Sequence, residues 1–168
     1  MADVEIVEVA PRDGFQVVKP FIPTDRKIAV CNALGKTGIK RLEIGAFVAP
    51  NAIPQMADIR EVMAEADLPE DIRTQVLVPN RRGHEAALEA GCTEICWVLS
   101  LSESHNQNNV RRSVEESFAE FESAWADLGA ATGRLRFNFA TSFDCPFEGR
   151  IAETRVMRGI ERILKTVP

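Results

Sequence analysis

The sequence predicts an α/β fold of about five βα units with a parallel sheet. Apolar runs rich in β-branched residues recur along the chain, each is followed by a helical pattern, and no low-complexity linker interrupts the alternation. The length of 168 residues, with 45% hydrophobic and 27% charged residues, suits a single soluble domain spanning residues 1–168.

The predicted strands are Val4–Val9, Arg41–Ala46, Arg73–Val78, Glu94–Leu101 and Leu135–Ser142. Their starts lie far enough apart for one crossover helix between each pair. Thr24 is the expected N-cap of a first helix, closed by Gly35 and Gly38. Gln55–Ala66 forms a second helix that stops near Pro69, and Asn80 caps a third that ends at Gly91. In the fourth, Val110, Val114, Phe118, Phe121, Trp125 and Leu128 fall on one stripe; Val156, Ile160, Ile163, Leu164 and Val167 do so in the fifth. Such a series fits either a doubly wound open sheet or part of an eight-fold barrel. A whole barrel needs about 250 residues, so the chain would be roughly five-eighths of one. The Gly-x-Gly-x-x-Gly turn usual in dinucleotide-binding open sheets does not follow the first strand.

Charge and composition narrow the partners. Twenty Lys+Arg against twenty-five Asp+Glu give a formal charge of -5, which disfavours nucleic acid. No segment approaches the roughly 18 apolar residues of a membrane span, and Met1–Glu5 lacks the basic start of a signal peptide. A cytoplasmic location without membrane partners is expected. Cys31, Cys92, Cys96 and Cys145 show neither zinc-ligand nor disulfide spacing and are expected as buried thiols.

In parallel α/β folds the carboxyl ends of the strands hold the site. Arg12, Asp13 and Gln16 follow the first strand, Glu43 lies within the second, Asn80 follows the third, Ser102–His105 and Asn109 the fourth, and Ser142, Asp144 and Glu148 belong to the fifth. Arg12 and Asp13 place a fixed cation beside a hard oxygen donor. That pair suits a divalent metal with a developing oxyanion, although spacing alone favours a plain loop salt bridge. Glu43 sits in the apolar stretch Leu42–Gly45 and needs a partner if buried, for which Arg12 is the candidate, or else reaches solvent. His105 reads as a solvated loop histidine, and His84 has less claim still to a site.

The string Glu8-Val9-Ala10-Pro11-Arg12-Asp13-Gly14-Phe15-Gln16 resembles the opening signature of the hydroxymethylglutaryl-CoA lyases. These belong to a metallolyase group of TIM barrels that also holds isopropylmalate and citramalate synthases. Leu42–Pro50, Pro54–Asp58, Val78–Asn80, Ser102–Asn106, Ser113–Phe118 and Cys145–Gly149 resemble the lyases in the same order. The resemblance implies a partial TIM (β/α)8 barrel and metal-dependent retro-Claisen cleavage of 3-hydroxy-3-methylglutaryl-CoA, or a close relative, to acetyl-CoA and acetoacetate. It further implies Asp13 as a ligand of Mg²⁺ or Mn²⁺, Arg12 as the group stabilising the enolate oxygen, Glu43 as the residue orienting Arg12, and Gln16 as a pocket residue. Asn80 and Ser142 complete the expected substrate contacts.

The family's His-x-His metal pair, a further asparagine and a glycine-rich loop with a cysteine have no counterpart in this sequence, and Val17-Val18 stands where Asn-Glu is common. The ligand set is therefore incomplete, and the chain as given is expected to be the N-terminal part of such a lyase, inactive alone. Its exposed strand edges predict a homo-oligomer, most simply a dimer. Leucine or related branched-chain catabolism is the implied setting. The rival expectations are a non-catalytic half-barrel that serves binding or assembly, and a condensing, citramalate-type relative.

Overall fold

The computed structural model describes residues 4–167; residues 1–3 and 168, the two ends of the expected domain, lie outside the described residues. In chain order the elements are β1 (Val7–Glu8), α1 (Thr24–Gly35), β2 (Arg41–Ala46), α2 (Ile59–Glu65), β3 (Arg73–Val78), α3 (Arg81–Glu89) and β4 (Glu94–Ser100). There follow α4 (Glu103–Val110), α5 (Val114–Leu128), β5 (Arg134–Ala140), a hairpin of β6 (Asp144–Cys145) and β7 (Gly149–Arg150), and α6 (Glu153–Thr166). The main sheet runs β1-β2-β3-β4-β5 with every pair parallel. A doubly wound sheet reverses its strand order at a switch point, and this sheet does not. It curls as part of a TIM barrel, so the barrel alternative is the one realised.

Side chains alternate across the strands, and the two faces differ in chemistry. Leu42, Ile44, Val76, Val78, Ile95, Trp97 and Leu99 pack under the helices with Phe118, Phe121 and Ala124 of α5. Trp97 meets the Phe121 ring edge-on at 5.1 Å, a contact worth about 1 kcal/mol beyond simple burial. The opposite face carries Arg41 and Glu43, Arg73 and Gln75, Glu94 and Cys96, and Arg136 and Asn138. Gly45 brings the layers together, because a Cβ there would lie 2.1 Å from Ile59 Cδ1, and the β2–β3 register shifts beside it. Helix α2 approaches β2 only over a bare backbone.

Several expected boundaries move for local reasons. Strand β1 keeps only Val7–Glu8 of the Val4–Val9 run, and Glu8 Oε1 instead accepts from Ala10 N at 2.8 Å, starting a wide turn over Ala10–Gly14. Thr24 is the first residue of α1 rather than its cap, and its hydroxyl donates to Asp58 Oδ2 at 2.9 Å. The second helix divides into a single 3₁₀ turn, Pro54–Met56, and α2. The stripe starting at Val110 also divides: Arg111 takes a left-handed φ of 61°, and α5 starts afresh on a capping box between Ser113 and Glu116. Asn80 caps α3 as expected, accepting from Gly83 N at 2.9 Å.

All four cysteines are buried free thiols. Burial pushes Cys31 and Cys92 up to about 11. Among the described residues no helix is long and apolar enough to cross a membrane.

His84 is fully buried on α3, edge-on to Trp97. Thr132 Oγ1 spends its proton on Leu128 O at 3.1 Å, so His84 Nε2, 2.8 Å away, must be the donor, and buried Nδ1 is left bare without a partner. Burial holds this imidazole below its ordinary 6.5, against a small opposing pull from Glu85. As pH falls below 6.5 the unfolded chain takes up the proton first, so stability is present above that value and is lost below it. His84→Gln, which keeps an amide donor for Thr132, is expected to flatten the fall in urea midpoint between about pH 6.5 and pH 5; an unchanged slope would place the acid sensitivity elsewhere.

Candidate active site

The wide turn after β1 determines where Arg12 points. Pro11 is buried beneath the turn, while Arg12 N and Asp13 N both donate to Val9 O, at 3.0 and 2.8 Å. This wide wrap sends the Arg12 side chain over β2. There its Nε donates to Glu43 Oε1 at 2.5 Å, and its Nη1 donates to Asp13 Oδ1 at 2.6 Å.

Glu43 is 1% exposed, so its charge must be satisfied within the protein. Arg12 takes one oxygen, and Gln75 Nε2 donates to the other at 2.7 Å. Cys96 lies on the same face, receives a hydrogen bond from Asn138 Nδ2 at 3.2 Å, and is pushed up to about 12 by burial and by the neighbouring Glu43. It is therefore a neutral thiol in the physiological range. Nearer the amino end of the sheet, Arg41 Nη2 donates to Gln75 Oε1 at 3.0 Å and to Glu94 Oε2 at 2.9 Å. Glu5 pairs with both Arg41 and Arg73.

The structure thus brings Arg12, Asp13 and Glu43 together, and the buried-partner reading of Glu43 is the one realised. The Arg12–Asp13 salt bridge is present too, with the Asp13 side chain 62% exposed at the mouth. Gln16 is exposed two residues beyond that turn. Asn80 and Ser142 lie at the rim, but Asn80 Oδ1 serves the α3 cap and Ser142 Oγ donates to Phe139 O at 2.7 Å. His105 is not a solvated loop residue: it lies on α4, half-buried, with Nδ1 2.6 Å from Ser100 Oγ. Gln75, Arg41 and Asn138 were not singled out from the sequence, and Cys96 was read only as a buried thiol. Their signal was the alternation of polar residues within the strands, a pattern that marks a polar barrel interior.

Among the described residues no three His, Cys, Asp or Glu side chains are grouped to hold a metal ion. Asp13 alone offers one or two of the roughly six oxygens that Mg²⁺ requires, and one of its oxygens already accepts from Arg12. Residues 4–167 do not by themselves fit a metal centre.

Several other motif residues build the scaffold. Gln55 accepts from Ile22 N and donates to Val18 O and Pro20 O, pinning the loop beyond the first turn. Asp58 pairs with the buried Lys27 at 2.7 Å. Asn106 joins β4, α4 and α5 through Ser100 N, Arg112 O, Ser113 O and Ser117 Oγ. Cys145 Sγ meets Ser102 Oγ at 3.0 Å, and Glu148 Oε1 accepts from Ser104 N at 2.7 Å, so the β6–β7 hairpin seals the start of α4.

The HMGL-like family model matches residues 3–166. The cytoplasmic 3-hydroxy-3-methylglutaryl-CoA lyase of Rattus norvegicus is 39% identical over 95% of this chain and 47% of its own length; the hydroxymethylglutaryl-CoA lyase of Pseudomonas mevalonii is 34% identical over 97% and 54%. The HMG-CoA lyase of Acinetobacter baumannii, solved with coenzyme A and 3-methylmalate, superposes with a TM-score of 0.92 at 40% identity, over 96% of this chain and 53% of that one. The Bacillus subtilis lyase gives 0.92 at 37% identity, over 97% and 55%. This chain spans about half the length of the relatives it matches. With its Arg12–Glu43 pair at the mouth of a partial TIM barrel, it belongs to the HMGL-like family.

Proposed function

We propose that these five strands carry the enolate-stabilising half of a carbon–carbon lyase that cleaves 3-hydroxy-3-methylglutaryl-CoA, or a close relative, to acetyl-CoA and acetoacetate. In a retro-Claisen cleavage the 3-hydroxyl loses its proton, the C2–C3 bond breaks, and the electron pair moves onto the thioester as an enolate, which is then protonated to acetyl-CoA. A cation held at the thioester oxygen lowers the barrier only if its pose is fixed beforehand.

The observation that carries the reading is the way Arg12 is held. Glu43 takes Nε and Asp13 takes Nη1, which leaves Nη2 as the arm of the fork not bonded to either carboxylate. Glu43 fixes the guanidinium from below, and its burial keeps that contact out of competition with water. A divalent cation, Mg²⁺ or Mn²⁺, would polarise the substrate oxygens; Asp13 would supply one ligand, and the others would have to come from outside residues 4–167. Coenzyme A in the Acinetobacter baumannii structure supports an acyl-CoA substrate. The cytoplasmic location and a role in leucine or related branched-chain catabolism belong to the proposal; relatives at 39% and 37% identity are named cytoplasmic and mitochondrial respectively.

The test joins this chain to the second half of the Bacillus subtilis lyase and follows acetoacetate release with added Mg²⁺ or Mn²⁺. Metal-dependent release is expected, with Arg12→Gln lowering kcat by about 10²–10³-fold. A near-normal rate in that variant would remove Arg12 from the mechanism, and condensation from acetyl-CoA without cleavage would favour the synthase relatives.

Self-association of the chain alone is also proposed. Strands β1 and β5 each have only one neighbour among the described residues, and α6 exposes Met157 and Leu164 at 47% and 68%. Sedimentation velocity is expected to show a dimer or larger species, and a monodisperse monomer would refute this.

A further inference from the structure

We propose that Gln75 is a positioning residue for Arg12, acting through Glu43 and oriented in turn by Arg41. The inference rests on the reading of Arg12 as the group that meets the substrate oxygen. Gln75 is 1% exposed and stands opposite Glu43 in the β2–β3 register.

Both ends of its amide are engaged, and only one orientation satisfies them. Arg41 has no acceptor atom, so the amide oxygen must face Arg41 Nη2, at 3.0 Å. The amide nitrogen is thereby turned toward Glu43 Oε2, at 2.7 Å. Turned the other way, the amide would set a donor against a cation and an acceptor against a carboxylate. Arg41 is itself anchored by Glu94, at 2.9 Å.

The consequence is a chain of hydrogen bonds with a single permitted polarity, running from Arg41 through Gln75 to Glu43. It occupies one carboxylate oxygen and stops the carboxylate from rotating, which leaves Oε1 facing Arg12 Nε. The ion layer near the amino end of the sheet thus fixes the pose of a cation at its mouth. A residue that merely filled space between β2 and β4 would need neither an amide nor a defined amide orientation.

The test reads Arg12 directly, on the chain as it stands, through the Nε–H resonance and its hydrogen exchange. Gln75→Met keeps length and volume without a donor, and Gln75→Asn draws the amide back from Glu43; whichever folds answers the question. Either is expected to speed Arg12 Nε–H exchange by about tenfold or more, with a shift of its resonance, since a hydrogen bond to a charged group is lost. Val76→Ala, on the opposite face of β3, controls for general destabilisation and is expected to leave the Arg12 resonance in place. An unmoved Arg12 signal in a folded Gln75 variant would overturn the inference. Because no turnover is measured, failure of the lyase reading would show in the joined enzyme and not here.

Discussion

A carboxylate that water does not reach governs this half-barrel. Glu43 is 1% exposed in the middle of β2, and its charge is tolerable only if partners are built around it. Supplying them dictates much else: the wide turn that carries Arg12 over β2, a glutamine opposite in β3, and an arginine below to set that glutamine's orientation. Gly45, two residues on, lets α2 close over the other face, so one short strand serves the polar interior and the apolar core together.

Much of the motif string that ties this chain to its family builds walls rather than chemistry. Gln55 and Asp58 lock the loop and helix beside the site, Asn106 ties three elements together, and Glu148 holds the hairpin against α4. Among the residues singled out from the sequence, Arg12, Asp13 and Glu43 converge by direct side-chain contact. Such economy is physically reasonable, because a cation stabilises a developing charge only when the surrounding structure denies it other poses.

The sequence made the fold readable where burial and periodicity agree. Strands β2 and β3 match their expected spans residue for residue: each opens at an arginine and sends alternate apolar residues, Leu42 and Ile44 or Val76 and Val78, into the core. Helix ends were less legible. The break at Arg111 depends on a left-handed residue and on Asn106 gripping the next turn, which an apolar stripe does not encode. Attention to the carboxyl ends of the strands found the Arg12–Glu43 pair but missed Gln75, which sits mid-strand, and Arg41, which opens β2 at its amino end, where polar side chains face a barrel interior rather than a core. Barrel closure also depends on strand order, a long-range property that no local window contains.

The central claim is that Arg12 and Glu43 form one coupled unit, and a double-mutant cycle on folding stability tests it most directly. Arg12→Met alone strands a buried charge and is expected to cost about 3 kcal/mol, while Arg12→Met combined with Glu43→Gln should recover part of that loss, giving a coupling of roughly 1.5–3 kcal/mol. Additive effects within about 0.5 kcal/mol would mean that the two side chains are neighbours without mutual dependence, and the account built on Glu43 would fail.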